Sequence, residues 1–61
     1  MNRYIFKIEY WNDFLSINDT KQIVIECKYF IDAWQIAYEK AIFEFGEDLV
    51  GIIFLRHDIP F

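Results

Sequence analysis

The run FIDAWQIAYEKAIFEF, residues 30–45, is the segment from which the organisation of this chain can be worked out. It contains the helix formers Ala33, Gln35, Ala37, Glu39, Lys40 and Ala41, and Gly46 directly after it is well placed to cap the helix C-terminus. At about 100° per residue, most of its apolar side chains share one broad arc. The arc contains Phe30, Ala33, Trp34, Ala37, Tyr38, Ala41 and Phe45, with Ile31 and Ile42 at its edge. The spacing predicts one amphipathic helix whose alanines allow a close approach to a sheet.

The segments on either side of this helix predict β-strands. Residues 3–10 and 20–28 alternate with a period of two, which is typical of half-buried strands. Asn-Asp pairs in the intervening residues 11–19 are turn signals, so the two strands should form an antiparallel hairpin. Residues 49–56 form a third predicted strand, and its side chains are apolar on both faces. This pattern indicates a strand that is covered on both sides.

The element order β-β-α-β predicts an α+β fold and a single domain over residues 1–61. A right-handed crossover through the helix makes the third strand parallel to the second. The simplest three-stranded sheet then has the order 2-1-3, with the first strand antiparallel to both neighbours and the helix on one face. We expect the tail, residues 58–61, to fold over a sheet edge. A chain of 61 residues buries only about 60% of its surface, which excludes two-domain enzymes, barrels and solenoids.

The composition is more apolar than so thin a core requires. Hydrophobic residues make up 56% of the chain and aromatic residues 21%, whereas about 45–50% apolar residues is usual. Some of these side chains must stay outside the core, and exposed apolar patches mark interfaces. One helix covers only one face of the sheet, so we predict that the other face forms a homodimer or partner contact. Its apolar residues are Ile5, Val24, Ile53 and Leu55.

Two helix residues depart from the apolar arc. Ile36 and Phe43 are seven positions apart and lie on the side away from the predicted core, beside Glu39. A single exposed apolar residue is ordinary, but two stacked on the polar side predict a docking stripe. Trp11, beside the hairpin loop, is a third candidate anchor because exposed tryptophan is enriched in binding hot spots. Packing that anchors the loop is the alternative interpretation of Trp11.

The formal net charge is −4, and the excess of acid lies in the second half of the chain. Residues 1–28 hold four acidic and four basic residues, whereas residues 29–61 hold six acidic and two basic residues. An acidic surface repels phosphates, which argues against direct nucleic-acid binding and favours a partner protein with a basic surface. The alternative is a solvated face that keeps the chain soluble.

The candidate acidic contacts are Glu39, Glu44, Glu47 and Asp48. Three of them crowd Gly46 at the predicted helix C-terminus, where the helix dipole disfavours negative charge. Partner contact, plain solvation and loose binding of a divalent cation all remain open there, although the ligand spacing of a calcium loop is absent.

No set of residues predicts catalysis, a cofactor or a metal site. His57 is the only histidine and Cys27 the only cysteine, so neither a metal-ligand set nor an internal disulfide is expected. We expect His57 to turn its ring to solvent and Cys27 to act as a small buried hydrophobe. A free thiol, and no visible signal peptide or membrane span, predict a cytoplasmic protein without membrane contact. We therefore expect a protein that is not an enzyme.

The stretch Asp32–Ala41, followed by Gly46–Val50, resembles small proteins encoded by bacteriophages and mobile elements of low-GC bacteria. In size, acidity and element order the chain resembles phage-encoded antagonists such as anti-CRISPR proteins and uracil-DNA glycosylase inhibitors. The resemblance covers the architecture and assigns no individual functional residues. It implies inhibition by occlusion inside the host cell, often with acidic residues standing in for DNA phosphates. A homodimeric structural or assembly protein without inhibitory activity is the alternative.

Overall fold

The computed structural model describes residues 1–59 and has the predicted element order. The elements are β1 (Asn2–Asn12), β2 (Ile17–Cys27), α1 (Phe30–Phe45), a short 3-10 helix η1 (Gly46–Asp48) and β3 (Leu49–Asp58). The hairpin turn takes only residues 13–16, because β1 and β2 pair as far as Asn12 and Ile17. Ser16 turns the chain with a positive φ of 54°, and Asn12 Oδ1 accepts the Leu15 N–H at 3.1 Å.

The sheet has the predicted order β2-β1-β3, and β1 is antiparallel to both neighbours. The fold is therefore α+β, with one helix packed on the sheet. The β1–β2 register is unbroken, whereas the β1–β3 register shifts between Ile5 and Phe6 and again between Glu9 and Tyr10. These shifts leave Leu55 and Val50 as extra residues of β3. The regular alternation of side chains between the two faces that was expected for residues 49–56 is therefore wrong. The bulges were not predicted, because a strand that is apolar on both faces gives no sign of them.

The core lies between α1 and the sheet. Its helix side consists of three fully buried alanines, Ala33, Ala37 and Ala41, which bring α1 close to the strands. On β1, Phe6 is fully buried. Its ring makes edge-on contacts with Trp34 and Phe54, with ring centroids 5.0 Å and 5.5 Å apart. Burying a phenylalanine of this kind contributes about 1.5–3 kcal/mol.

Two expectations about exposed apolar residues are wrong. Ile36 does not lie on a free polar side: it is half-buried and packs against the core cluster. The helix contacts the sheet along its alanine row, so Ile36 beside that row is covered, whereas Ile31 and Ile42 at the predicted edge of the apolar arc are exposed. Ile5 faces away from α1 but is only 3% exposed, because it sits on the central strand between Val24 and Arg56.

The end of α1 is capped as predicted. Gly46 has a φ of 54°, and its N–H donates to the Ile42 carbonyl. This backbone conformation favours glycine, since a Cβ there is strained. At the other end of the chain Asp58 belongs to β3, so the expected fold-over of the tail does not begin at this residue. Ile59, which follows β3, is 70% exposed, and Pro60 and Phe61 lie outside the described residues.

Candidate protein-binding surface

A groove of about 770 Å³ runs between α1 and the free edge of β2. We call it the α1–β2 groove. It is lined by Lys21, Ile23 and Val24 of β2 and by Glu39, Lys40, Phe43 and Glu44 of α1. One ion pair joins its two walls, with 2.6 Å between Lys21 Nζ and Glu44 Oε1.

Phe43 stands at the rim of this groove and is 94% exposed. Phe14 in the hairpin turn is equally open, at 95%, but does not line the groove. The surroundings of the two rings therefore differ. Phe43 projects from a helix that is anchored on the core, so its position is fixed, and an apolar ring beside a groove is the usual form of a binding anchor.

The structure brings together some of the predicted partner-binding residues and separates others. Glu39, Phe43 and Glu44 line the groove together. Glu47 is exposed and Asp48 half-buried in η1, beyond the helix end. The remaining two lie elsewhere: Ile36 packs on the core, and Trp11, 39% exposed, is part of β1 opposite Asn18.

Of the three β2 residues that line the groove, Val24 was predicted as a contact residue, whereas Lys21 and Ile23 were not. Lys21 and Ile23 pair with Ile8 and Phe6, which places them on the helix side of the sheet. The alternation over residues 20–28 predicted a strand with two distinct faces. Whether α1 covers the outer margin of β2 depends on where the helix crosses the sheet, and no local pattern contains that information.

The charges are distributed unevenly over the molecule. Four ion pairs form in the described part of the chain: Arg3–Glu26 at 3.3 Å, Lys7–Glu9 at 3.9 Å, Lys21–Glu44 at 2.6 Å and Arg56–Asp58 at 3.3 Å. Every cation in these pairs belongs to a strand. On α1 and η1, by contrast, four acids have no ion-pair partner among residues 1–59, and Lys40 is the only cation there. We call these four, Asp32, Glu39, Glu47 and Asp48, the acidic helix surface.

The open face of the sheet is less apolar than predicted. Val24, Ile53 and Leu55 are partly exposed, but Ile5 is covered. The ion pairs Arg3–Glu26, Lys7–Glu9 and Arg56–Asp58 belong to this face, because their residues alternate with those that face α1. The apolar residues are therefore divided by charges and do not form one continuous patch.

A second, smaller hollow of about 380 Å³ is lined by Tyr4, Phe30, Phe54 and His57. His57 is exposed, as expected, but its ring stacks on that of Tyr4, with 4.5 Å between centroids and 20° between planes. Cys27 is half-buried instead of fully buried, and its Sγ donates to the Tyr29 carbonyl at 3.1 Å.

Near the hairpin end of the sheet, Tyr10 stacks on Phe45 with 4.0 Å between ring centroids. Its hydroxyl donates to Asp19 Oδ2 at 3.4 Å. Burial, and secondly the nearby Asp19 carboxylate, raise the pKa of the Tyr10 hydroxyl above its usual value. Tyr10 is therefore a neutral hydrogen-bond donor at physiological pH.

No cluster of three or more histidine, cysteine, aspartate or glutamate side chains that could hold a metal ion occurs among residues 1–59. Within the same residues, no helix is both long and apolar enough to cross a membrane. No known protein family, curated protein or solved structure matches the chain. The geometry of its surface is therefore the basis for a functional proposal.

Proposed function

We propose that this chain is an acidic protein-binding module that inhibits a protein with a basic surface by covering that surface. Its role is contact rather than catalysis. The target class that fits best is a nucleic-acid-processing or defence protein in the cytoplasm of a host cell, as for the phage-encoded antagonists that the chain resembles. A basic site on the target that binds nucleic-acid phosphates also attracts carboxylates. Occlusion of that site and mimicry of nucleic acid therefore depend on the same electrostatic attraction.

The observation that carries this proposal is the contrast between the sheet and the helix. Four cations of the sheet each lie within 4.0 Å of an acid, so those charges largely cancel. The acidic helix surface keeps its charge, with only Lys40 to offset it. Uncompensated charge on one side steers a protein of opposite charge during the encounter and raises its association rate.

Two contact elements then cooperate. The acidic helix surface provides long-range attraction and orientation, whereas the α1–β2 groove with Phe43 provides an apolar docking site. Charged contacts at the rim mainly change the association rate, and apolar contacts in a groove mainly change the dissociation rate.

Quantitative capture of host-cell proteins on the immobilised chain tests this function. We expect an enriched protein whose binding weakens as salt rises. Glu47→Lys should reduce its affinity about tenfold, whereas the matched reversal Asp13→Lys, at an exposed acid of the hairpin turn, should leave it unchanged. Equal losses in both variants would reveal a non-specific charge effect and refute the proposal, as would enrichment of no protein.

A homodimeric assembly protein without inhibitory activity is the second candidate. One observation favours it: β2 has an unpaired edge of eleven residues adjoining the α1–β2 groove. Self-association without capture of any host protein is the result that would favour this candidate over the first.

A further inference from the structure

The two edges of the sheet are protected to different degrees. β3 contains Gly51 and two register shifts, and bulges of this kind twist an edge away from further pairing. β2 has an uninterrupted register over its whole length and contains neither proline nor glycine. A long, regular edge of this kind presents backbone N–H and C=O groups and is a template for another strand. On this edge the Thr20 N–H donates to Asp19 Oδ1 at 2.8 Å and must exchange that bond when a strand adds.

We infer that the occupant of the α1–β2 groove is the β2 strand of a second copy of this chain, which makes the protein a two-fold symmetric dimer with a continuous six-stranded sheet. This inference rests on the proposed function in so far as that function assigns the groove as a docking site. The pairing is isologous, so it closes at two copies and does not build a filament.

Symmetry and the side-chain faces select the register. A two-fold axis perpendicular to the sheet keeps both helices on one side, so each residue must pair with one that points to the same face. Within β2, only an axis through Thr20 places opposite charges opposite each other. Asp19 then faces the partner's Lys21, and symmetry repeats this contact once. Lys21 already pairs with Glu44 of its own chain, so each Lys21 comes to lie between two carboxylates. An axis through Asp19 or through Lys21 would instead set like charges together, which is destabilising.

The same register supplies apolar contacts. It sets Ile17, which is 48% exposed, opposite the partner's Ile23, a residue of the groove wall. The two β1 strands then lie three strand spacings apart, about 14 Å. This separation leaves a trough between the two helices that the Phe43 rings can fill, so the most exposed apolar residue of α1 becomes covered.

In the dimer the second copy takes the α1–β2 groove and covers Phe43, so the basic partner is bound through the acidic segment at the end of α1. η1 leads into β3, which lies on the opposite side of β1 from β2. Glu47 and Asp48 are therefore away from the paired edge, and the dimer carries two copies of this acidic segment.

Cysteine cross-linking tests the register directly. In a Cys27→Ser background, Thr20→Cys lies on the two-fold axis and meets its own copy about 4.5–5.5 Å away between Cα atoms, within disulfide range. Mild oxidation should convert most of the protein to a covalent dimer. The matched variant Gln22→Cys is displaced by about 14 Å from its copy, so it should stay monomeric under denaturing conditions.

Sedimentation equilibrium tests the association itself. The wild-type chain should sediment as a dimer, and Asp19→Lys should weaken the dimer about tenfold, because each of two symmetric ion pairs becomes a like-charge pair. Asp13→Lys makes the same charge change in the turn and should not alter the dissociation constant.

A wild-type monomer would overturn the inference, and so would a dimer that Gln22→Cys cross-links as well as Thr20→Cys does. A dimer that Ile53→Lys dissociates, and that Thr20→Cys does not cross-link, would be joined through the open sheet face and would also overturn it. None of these results touches the capture experiment with Glu47→Lys. Failure of the dimer and failure of the proposed function can therefore be told apart.

Discussion

Each face of the sheet buries an apolar residue of β1, but Phe6 and Ile5 are buried for different reasons. On the helix side, Phe6 is covered by another element, since Trp34 of α1 lies edge-on to its ring. On the open side, Ile5 is almost as buried, but nothing beyond the sheet covers it. Its cover comes from neighbours on the adjacent strands, Val24 and Arg56. A central strand can thus keep one apolar residue dry on an uncovered face, and burial alone does not show that a face is occupied.

The largest effect on the free energy of unfolding is expected from Phe6→Ala, which is compared with Ile5→Ala. Phe6→Ala leaves a cavity enclosed by α1 and should cost about 3–5 kcal/mol, a large part of the roughly 3–9 kcal/mol expected for a chain of this length. Ile5→Ala should cost nearer about 2 kcal/mol, because water and flexible surface side chains can fill the space. Chemical denaturation followed by circular dichroism measures both. Equal losses would mean that the two faces are equally enclosed.

A smaller effect is expected from the alanine row that brings α1 against the sheet. Ala37→Leu should overpack this contact and cost about 1–3 kcal/mol. Gln35→Leu, on the exposed side of the same helix, should change the free energy of unfolding by less than about 0.5 kcal/mol. If thermal unfolding shows Ala37→Leu to be as stable as the wild type, the close approach of helix and sheet does not depend on small side chains.

The smallest effects concern the ion pairs on the two faces. Double-mutant cycles on Lys21 and Glu44, on the helix side, and on Arg3 and Glu26, on the open face, should each give a coupling of about 0.2–1 kcal/mol, because all four side chains are partly exposed. The first pair should couple more strongly, since its atoms are 2.6 Å apart against 3.3 Å. Both couplings should fall as salt is added, and a coupling that does not respond to salt would not be an ion pair.

Most of the architecture followed from periodicity. Alternation with a period of two predicted β1 and β2, a helical period predicted α1 with the bounds observed, and Gly46 predicted the helix end. The handedness of the crossover then led to the order β2-β1-β3. These features are local, or depend on general rules of chain connection, and a sequence contains them.

The candidate site was predicted only in part. Glu39, Phe43 and Glu44 lie together on α1, because residues four or five apart on one helix are neighbours wherever the helix packs. Lys21 and Ile23 complete the groove, but they come from a strand some twenty positions away in the chain. Their place beside α1 depends on the line along which the helix crosses the sheet.

Side-chain type and short-range spacing were enough to predict which segments form strands and helix, the acidic excess of residues 29–61 and the exposure of Phe43. Long-range packing was needed to show that Ile36 and Ile5 are covered, that β3 is bulged and β2 regular, and that a groove opens beside β2. These outcomes depend on how closely two elements approach and in which register, and both are set by packing among residues distant in the chain.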